Sequence, residues 1–367
     1  MLQNSKIKLL YITNGIKDPA GLERVLSVKA SYLADELAYE VHILTLNNNG
    51  AVPFYTFSKK IIHHDIIVGR NPIHYFKSYL GGLKSKIKTI QPDIILVCDD
   101  GLKGFFLPLL LQKPCPMFYE RHVSKVVELG EKPSFLKKVK VGAKFYLMKQ
   151  LGKTFDKFIV LTPDNTKEWP MHNVMVIPNP LSFYPTDSST LTQKKVIAVG
   201  KHSLQKGYDR LLQSWVTVQK AHPDWQLEIY GKIDEKYRLA DLSRTLQVDK
   251  TVTFFPPVAD IQSKYLDSSI FVLSSRFEGF GMVLIEAMAC GVPCVTFDCP
   301  YGPADIVTHQ QDGIVVPNDA IQPFANAISQ LIEDEEQRMV MGKAAKQNVK
   351  RYLPEVVMPQ WDALFKD

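Results

Sequence analysis

Residues 274–300 read SSRFEGFGMVLIEAMACGVPCVTFDCP, and the fold turns on them. The apolar run Ile270–Leu273 just before them reads as a buried strand. Gly279-Phe280-Gly281 then opens a helical run from Met282 to Cys290. Gly291 stands where a left-handed C-cap belongs, and Pro293 blocks extension. Val292–Phe297 reads as the next buried strand. Strand, glycine loop, helix, strand is an arrangement that brings backbone N–H groups and the positive end of a helix to one point, which suits a phosphate.

Two carboxylates mark the stretch. Glu278 lies in the loop and Glu286 inside the helix, among Leu284, Ile285, Ala287, Met288 and Ala289. A carboxylate in apolar surroundings needs donors. The hydroxyls of a sugar or ribose would supply them; the alternative is a helix whose polar face merely carries Glu286. The pattern E-G-F-G-x-x-x-x-E followed by A-x-A-C-G-x-P resembles the signature of retaining family-4 glycosyltransferases. That resemblance implies the glycosyltransferase-B fold: α/β, two Rossmann-like doubly wound domains facing each other across a cleft.

The rest of the chain fits two domains. Its 367 residues exceed one typical core. Ile7–Thr13, Val41–Leu46, Ile61–Val68, Asp93–Cys98, Pro116–Tyr119 and Lys157–Leu161 read as strands, with helical stretches such as Glu23–Ala38 between them. The pattern breaks at Ile177-Pro178-Asn179-Pro180 and in the polar run PTDSSTLTQKK, read as a linker. A second series follows: Val196–Val199, Gln226–Tyr230, Val252–Phe255, Ile270–Leu273, Cys294–Phe297 and Ile314–Val316. The expected domains are 1–184, for the acceptor, and 190–352, for the nucleotide sugar. The resemblance implies that a terminal helix, 353–367, crosses back onto the first.

Composition narrows the function. Residues 1–180 carry 25 Lys/Arg against 15 Asp/Glu, a charge of +10, which leaves −4 for the remainder. A basic front half suggests an anionic surface partner. No stretch approaches the length of a membrane span, and Met1–Leu10 lacks the hydrophobic core of a signal peptide. A cytoplasmic protein, peripheral to the inner face of the membrane, is expected. Cys98, Cys115, Cys290, Cys294 and Cys299 read as reduced core thiols, without zinc spacing.

Further candidates lie at strand ends. Val196–Val199 runs into Gly200, and Lys201 and Lys206 offer charges to a diphosphate. The family pattern is G-R-x-x-x-x-K-G, so Lys201 replaces an arginine. Ala20-Gly21-Leu22-Glu23-Arg24 resembles the family's G-G-x-E-R, with Gly21 letting backbone approach phosphate. His122, after Glu120-Arg121, matches a family histidine near the donor sugar; a structural histidine is the alternative. Gly231, Pro257 and Val258 fall in loops that hold the nucleobase in the family. Pro300-Tyr301-Gly302-Pro303-Ala304-Asp305 resembles a cleft-lining variant.

The resemblance assigns roles. Glu278, His122 and Lys206 are the catalytic candidates. Gly21, Gly200, Lys201, Lys206, Gly231, Pro257, Val258, Glu278, Gly279, Phe280, Gly281, Met282, Val283 and Glu286 are the donor-binding ones. No D-x-D occurs, and Asp99-Asp100 are adjacent, so no metal and no cofactor are expected beyond the nucleotide sugar, taken as UDP-linked. The acceptor would be a glycan or lipid-linked glycan in surface polysaccharide or lipopolysaccharide assembly, with no nucleic-acid partner. Residues 132–157, with eight lysines among aromatic and aliphatic residues, read as a basic amphipathic helix for anionic lipid; Arg70–Lys88 adds to it. A sheet-packed helix with a solvated lysine face is the alternative. A dinucleotide-dependent oxidoreductase and a non-catalytic sugar-nucleotide binder are the competing functions. The first lacks the third glycine of G-x-G-x-x-G and gives the glutamates no task.

Overall fold

A computed structural model describes residues 6–69, 71–99, 101–128, 130 and 133–367. Arg70, Asp100 and Lys132, and the opening residues of the leader reading, lie outside the described residues. The chain divides into two units, one of Met1–Pro180 with Pro354–Asp367 and one of Leu181–Leu353.

The first unit carries β1 (Lys8–Thr13), α1 (Gly21–Asp35), β2 (Glu40–Leu46), β3 (Ile62–Ile66), α2 (Pro72–Ile90), β4 (Ile94–Cys98), α3 (Leu102–Phe105), α4 (Leu107–Leu111), β5 (Met117–Glu120), α5 (Phe135–Gly152), β6 (Lys157–Val160), α6 (Asn165–Glu168) and β7 (Val174–Val176). All its strand pairs are parallel, in the order β3-β2-β1-β4-β5-β6-β7. The central strands are buried on both faces, which is why IILVC of β4 is apolar without alternation.

The second unit carries β8 (Lys195–Val199), α7 (Tyr208–Ala221), β9 (Gln226–Tyr230), α8 (Leu239–Thr245), β10 (Val252–Phe255), α9 (Ile261–Leu266), β11 (Ile270–Leu273), α10 (Met282–Ala289), β12 (Cys294–Asp298), α11 (Pro303–Ile306), β13 (Gly313–Pro317), α12 (Ile321–Glu333) and α13 (Glu335–Asn348); α14 (Pro354–Lys366) follows and belongs to the first unit. Its sheet is parallel, in the order β10-β9-β8-β11-β12-β13. Each order reverses direction beside the unit's first strand, the switch point at which doubly wound sheets bind ligands.

The doubly wound α/β reading therefore holds, with shifted ends. The helix expected to reach Cys290 stops at Ala289. Gly291 adopts φ 72°, its N–H reaches Met288 O and the N–H of Val292 reaches Ala287 O, a Schellman ending. Strand β7 went unread because it is three half-buried residues at a sheet edge. The polar run taken as a linker is packed onto the second unit. Ser189 and Leu191 are buried, Ser189 bonds Cys290 O and Ser268 O, and the buried Arg338 donates to Leu191 O.

Two helical layers cover the first sheet. Tyr79, Leu83, Phe105, Phe145 and Met148 place α2, α3 and α5 on one face. Leu26, Ala30, Leu33, Val357 and Trp361 place α1 and α14 on the other. A buried charge pins the second layer. Lys29 on α1 bonds Glu120 on β5, and its ammonium lies 4.1 Å from the ring centroid of Trp361. Both charged side chains are almost fully buried. Burial alone would push the Glu120 carboxyl up; Lys29, with His122 beside it, outweighs this and holds it below the ordinary value of 4.5. A depressed folded-state value stabilises above the unfolded one and is lost as pH falls through the folded one. Glu120→Gln strands the Lys29 charge, so it should cost about 3–5 kcal/mol at neutral pH. It should also flatten the loss of first-unit stability below pH 4.5, which urea unfolding as a function of pH would measure.

Candidate functional site

The site assembles where β8 and β11, neighbours in the second sheet, reach their carboxyl ends. Glu278 follows β11 and is 5 % exposed. Its Oε1 accepts from Ser275 Oγ at 2.6 Å and from Lys206 Nζ at 2.8 Å, and Gln205 Nε2 stands 3.4 Å from Oε2. Its own N–H donates to Pro300 O, 2.7 Å away. A cation and a hydroxyl thus share one oxygen of this buried carboxylate. The other oxygen has a single long contact from Gln205.

Lys206 reaches Glu278 because the loop after β8 is held in place. Its stem crosses Gly200, where a Cβ would lie 2.7 Å from Lys206 Cε. Gly207 caps α7 at φ 60°, and a Cβ there would meet Ser274 O at 2.2 Å. Ser274 Oγ donates to Lys206 O. Arg276 donates both terminal nitrogens to Asp209, at 2.8 and 2.7 Å, and Nη1 also reaches Leu204 O. Burial raises the Asp209 carboxyl, and the Arg276 fork outweighs that and lowers it. The loops after β8 and β11 are thus stitched by charge as well as by backbone.

The neighbouring strand ends extend this rim. Gly200 N–H bonds Tyr230 O, Gly231 N–H bonds Phe255 O, and His202 N–H bonds Lys232 O. Gly231 must be glycine, since a Cβ would stand 1.9 Å from Gly200 O. Lys201 and Pro257 are exposed and Val258 is half-buried. On the other side Gly281 caps α10 and Phe280 packs edge-on against Tyr352. Met282 and Val283 form the half-buried first turn, whose N–H groups have no partner within the helix by geometry. Gly279 is half-buried beside them.

The structure therefore brings Gly200, Lys206, Gly231, Glu278 and the start of α10 to one edge of one sheet. Glu286 is elsewhere along α10, 1 % exposed. Its carboxylate faces Ser182 Oγ at 3.3 Å and Tyr265 OH at 3.4 Å. The donors that the apolar context demanded are thus supplied by protein hydroxyls, at distances long for such bonds. Gly21 and His122 belong to the first unit. Gly21 opens α1 and has room around it. His122 Nε2 lies 3.4 Å from Glu120.

Sequence reasoning missed Ser275, Gln205, Arg276 and Asp209. Ser275 stands three residues before Glu278, a spacing at which a hydroxyl meets a carboxylate in a turn, so it was visible. The Arg276–Asp209 pair joins positions 67 apart, which no local pattern reports. Cys98, Glu120 and His122 bring metal-capable atoms within 4.8 Å of one another. Glu120 already serves Lys29 there, so a divalent ion would compete with an ammonium in place. A separate recess of about 370 Å³, lined by Tyr184, Leu191, Gly291, Met339 and Lys346, contains none of the candidate residues.

The contrast between two glycines gives a test. Gly207→Ala meets both a disfavoured φ and a backbone oxygen, so it should cost at least about 1–3 kcal/mol. Gly21→Ala has space and leaves the fold's stability within about 1 kcal/mol. Thermal melts of the two variants check this; equal losses would contradict the loop geometry.

Comparison with known proteins bears on the fold and on this site. Residues 187–348 match the family model of the group 1 glycosyl transferases. An uncharacterized glycosyltransferase of Haemophilus influenzae is 28 % identical over 97 % of this chain and 99 % of its own. The amylovoran biosynthesis glycosyltransferase AmsD of Erwinia amylovora is 28 % identical over 97 % and 98 %. The crystal structure of Anabaena HepE in complex with UDP-glucose superposes with a TM-score of 0.78, at 17 % identity, over 98 % of this chain and 99 % of that one. The matched model begins ahead of β8 and ends with α13, and so contains every residue of the Glu278 cluster. The chain has the glycosyltransferase-B fold, and its residues 187–348 are similar to the group 1 glycosyl transferases.

Proposed function

We propose that this protein is a retaining, metal-independent family-4 glycosyltransferase. It moves a hexose or N-acetylhexosamine from a UDP-sugar to a glycan or lipid-linked acceptor in polysaccharide or lipopolysaccharide assembly, at the cytoplasmic side of a membrane. The observation that carries this is the buried Glu278 carboxylate, held by Lys206 and Ser275 beside the first turn of α10. The names of the bacterial relatives support the setting, and the UDP-glucose complex of HepE supports the donor.

The chemistry follows from the charges. In the reaction the bond from the anomeric carbon to the diphosphate breaks and a bond to the acceptor oxygen forms on the same face. The acceptor's proton passes to a diphosphate oxygen, so no dedicated side-chain base is needed. Negative charge grows on the departing diphosphate. Lys206 and the Met282 and Val283 amides supply preorganised positive charge for it, the task a metal ion performs elsewhere. Glu278 keeps one oxygen for Lys206 and offers the other to sugar hydroxyls, in place of the long Gln205 contact. Ser182 and Tyr265 would yield Glu286 to ribose hydroxyls on similar terms. Lys201 adds charge from the rim. Gly231, Pro257 and Val258 flank the nucleobase, and Gly279, Phe280 and Gly281 shape the sugar side. Gly21 and His122 are assigned to the first unit's part in the reaction.

Glu278→Gln tests the central role. Turnover, read as UDP release from a panel of sugar nucleotides, should fall by about 10²-fold or more, the scale of losing one transition-state contact. UDP affinity should change far less; unchanged turnover would refute the assignment. Full activity in excess chelator is expected, and strict dependence on added manganese would contradict the metal-free reading. UDP at saturation should raise the melting temperature, because a ligand at about 100 times its Kd adds about 2.7 kcal/mol. NAD should not; the reverse would favour an oxidoreductase.

A further inference from the structure

Helix α5 presents two apolar stripes where one would suffice. Phe145, Met148, Leu151 and Gly152 form the buried one, against the first sheet. The other faces out. Phe135, Leu136, Val139 and Tyr146 are 78 %, 72 %, 53 % and 67 % exposed. At 100° per residue Phe135, Val139 and Tyr146 fall within about 40° of one another, with Leu136 and Leu147 beside them. Lys138 and Lys149 border this stripe on one side and Lys140 on the other.

A second helix repeats the feature. Helix α2 buries Tyr79, Leu83, Ile87 and Ile90, yet leaves Ile73 and Phe76 70 % and 50 % exposed in its first turns. Helices α2 and α5 cover the same face of the sheet. Each follows a parallel strand, so both start at the sheet's carboxyl edge. Ile73, Phe76, Phe135, Leu136 and Val139 lie in the first turns of the two helices, and Tyr146 continues the stripe along α5. Together the two helices carry nine lysines and no Asp or Glu. Among the described residues Lys137, Lys138 and Lys140 form no ion pair.

A solvated lysine face accounts for the charge but not for the exposed aromatic and aliphatic side chains between the lysines. A stripe of Phe, Leu, Val and Tyr flanked by lysine is what an interfacial helix offers to a bilayer: rings enter the acyl boundary, and ammonium groups meet anionic headgroups. We propose that the outward faces of α5 and the start of α2 dock the first unit onto an anionic lipid surface. This deepens the reading above, because it names where a lipid-linked acceptor would be met. The helices lie in the interface rather than across it, and no described helix is long and apolar enough to cross a membrane.

Flotation of the full chain with phosphatidylcholine vesicles, with and without phosphatidylglycerol, tests this. The protein should float with phosphatidylglycerol vesicles at low salt and be released by high salt. Lys137→Glu/Lys138→Glu/Lys140→Glu should weaken the partition at least about tenfold, since each lysine near such a surface contributes about 1 kcal/mol. Phe135→Ser/Val139→Ser/Tyr146→Ser, all solvent-facing, should weaken it comparably. Lys236→Glu/Lys250→Glu, on the second unit, should not. Wild-type protein that stays unbound, as a helix pair serving an acidic protein partner would, overturns the proposal, as do triple variants that float like wild type. Hydrolysis of UDP-sugar without lipid is read in parallel. Its loss in a protein that still floats counts against the catalytic reading alone.

Discussion

A carboxylate withdrawn from water must be compensated, and Glu278 is the point at which this chain meets that requirement. Lys206 and Ser275 donate to it and so meet that requirement. Lys206 can do so only if the loop after β8 turns at Gly207 and lies against the end of β11. The Arg276–Asp209 fork keeps that loop there. Strand order supplies the rest, because β8 and β11 are neighbours only in a sheet that winds outward from β8 in both directions. One buried negative charge thus ties together the topology, the glycines and the lysine.

The first unit answers the same requirement to a different end. Glu120 is as deeply buried and also has a lysine partner, but Lys29 sits against Trp361 and so joins α1, β5 and α14. That pair is closed to solvent: both charged side chains are almost fully buried. The pair at Glu278 is half-open, since Lys206 keeps some exposure and one carboxylate oxygen holds only a long contact. Similar residue types give a structural bolt in one unit and a candidate site in the other, and the difference lies in how far solvent reaches the lysine.

Much of this was legible in the residues. Parallel strands buried on both faces appear as short apolar runs such as Ile94–Cys98 and Ile270–Leu273, and the glycine loop and C-cap around α10 are local signals. What escaped depended on partners far away in the chain. The run around Ser189 and Leu191 looks like a linker because its polar residues give no hint that Cys290, Ser268 and Arg338 will meet them. The donors to Glu286 were sought in a ligand because Ser182 and Tyr265 lie 104 and 21 positions away. In residues 132–157 Lys137, Lys138, Lys140 and Lys153 are exposed while Lys144, Lys149 and Lys157 are half-buried, and periodicity alone could not tell which of two apolar stripes on α5 the sheet would cover.

The proposed function requires that the start of α10 and Lys206 receive a diphosphate beside Glu278. A crystal structure of the protein with UDP tests it most directly. Phosphate oxygens are expected within hydrogen-bonding distance of Lys206 Nζ and of the Met282 and Val283 amides, with ribose hydroxyls on Glu286. UDP bound away from the carboxyl edge of β8 and β11, with Lys206 still bonded only to Glu278, would contradict it.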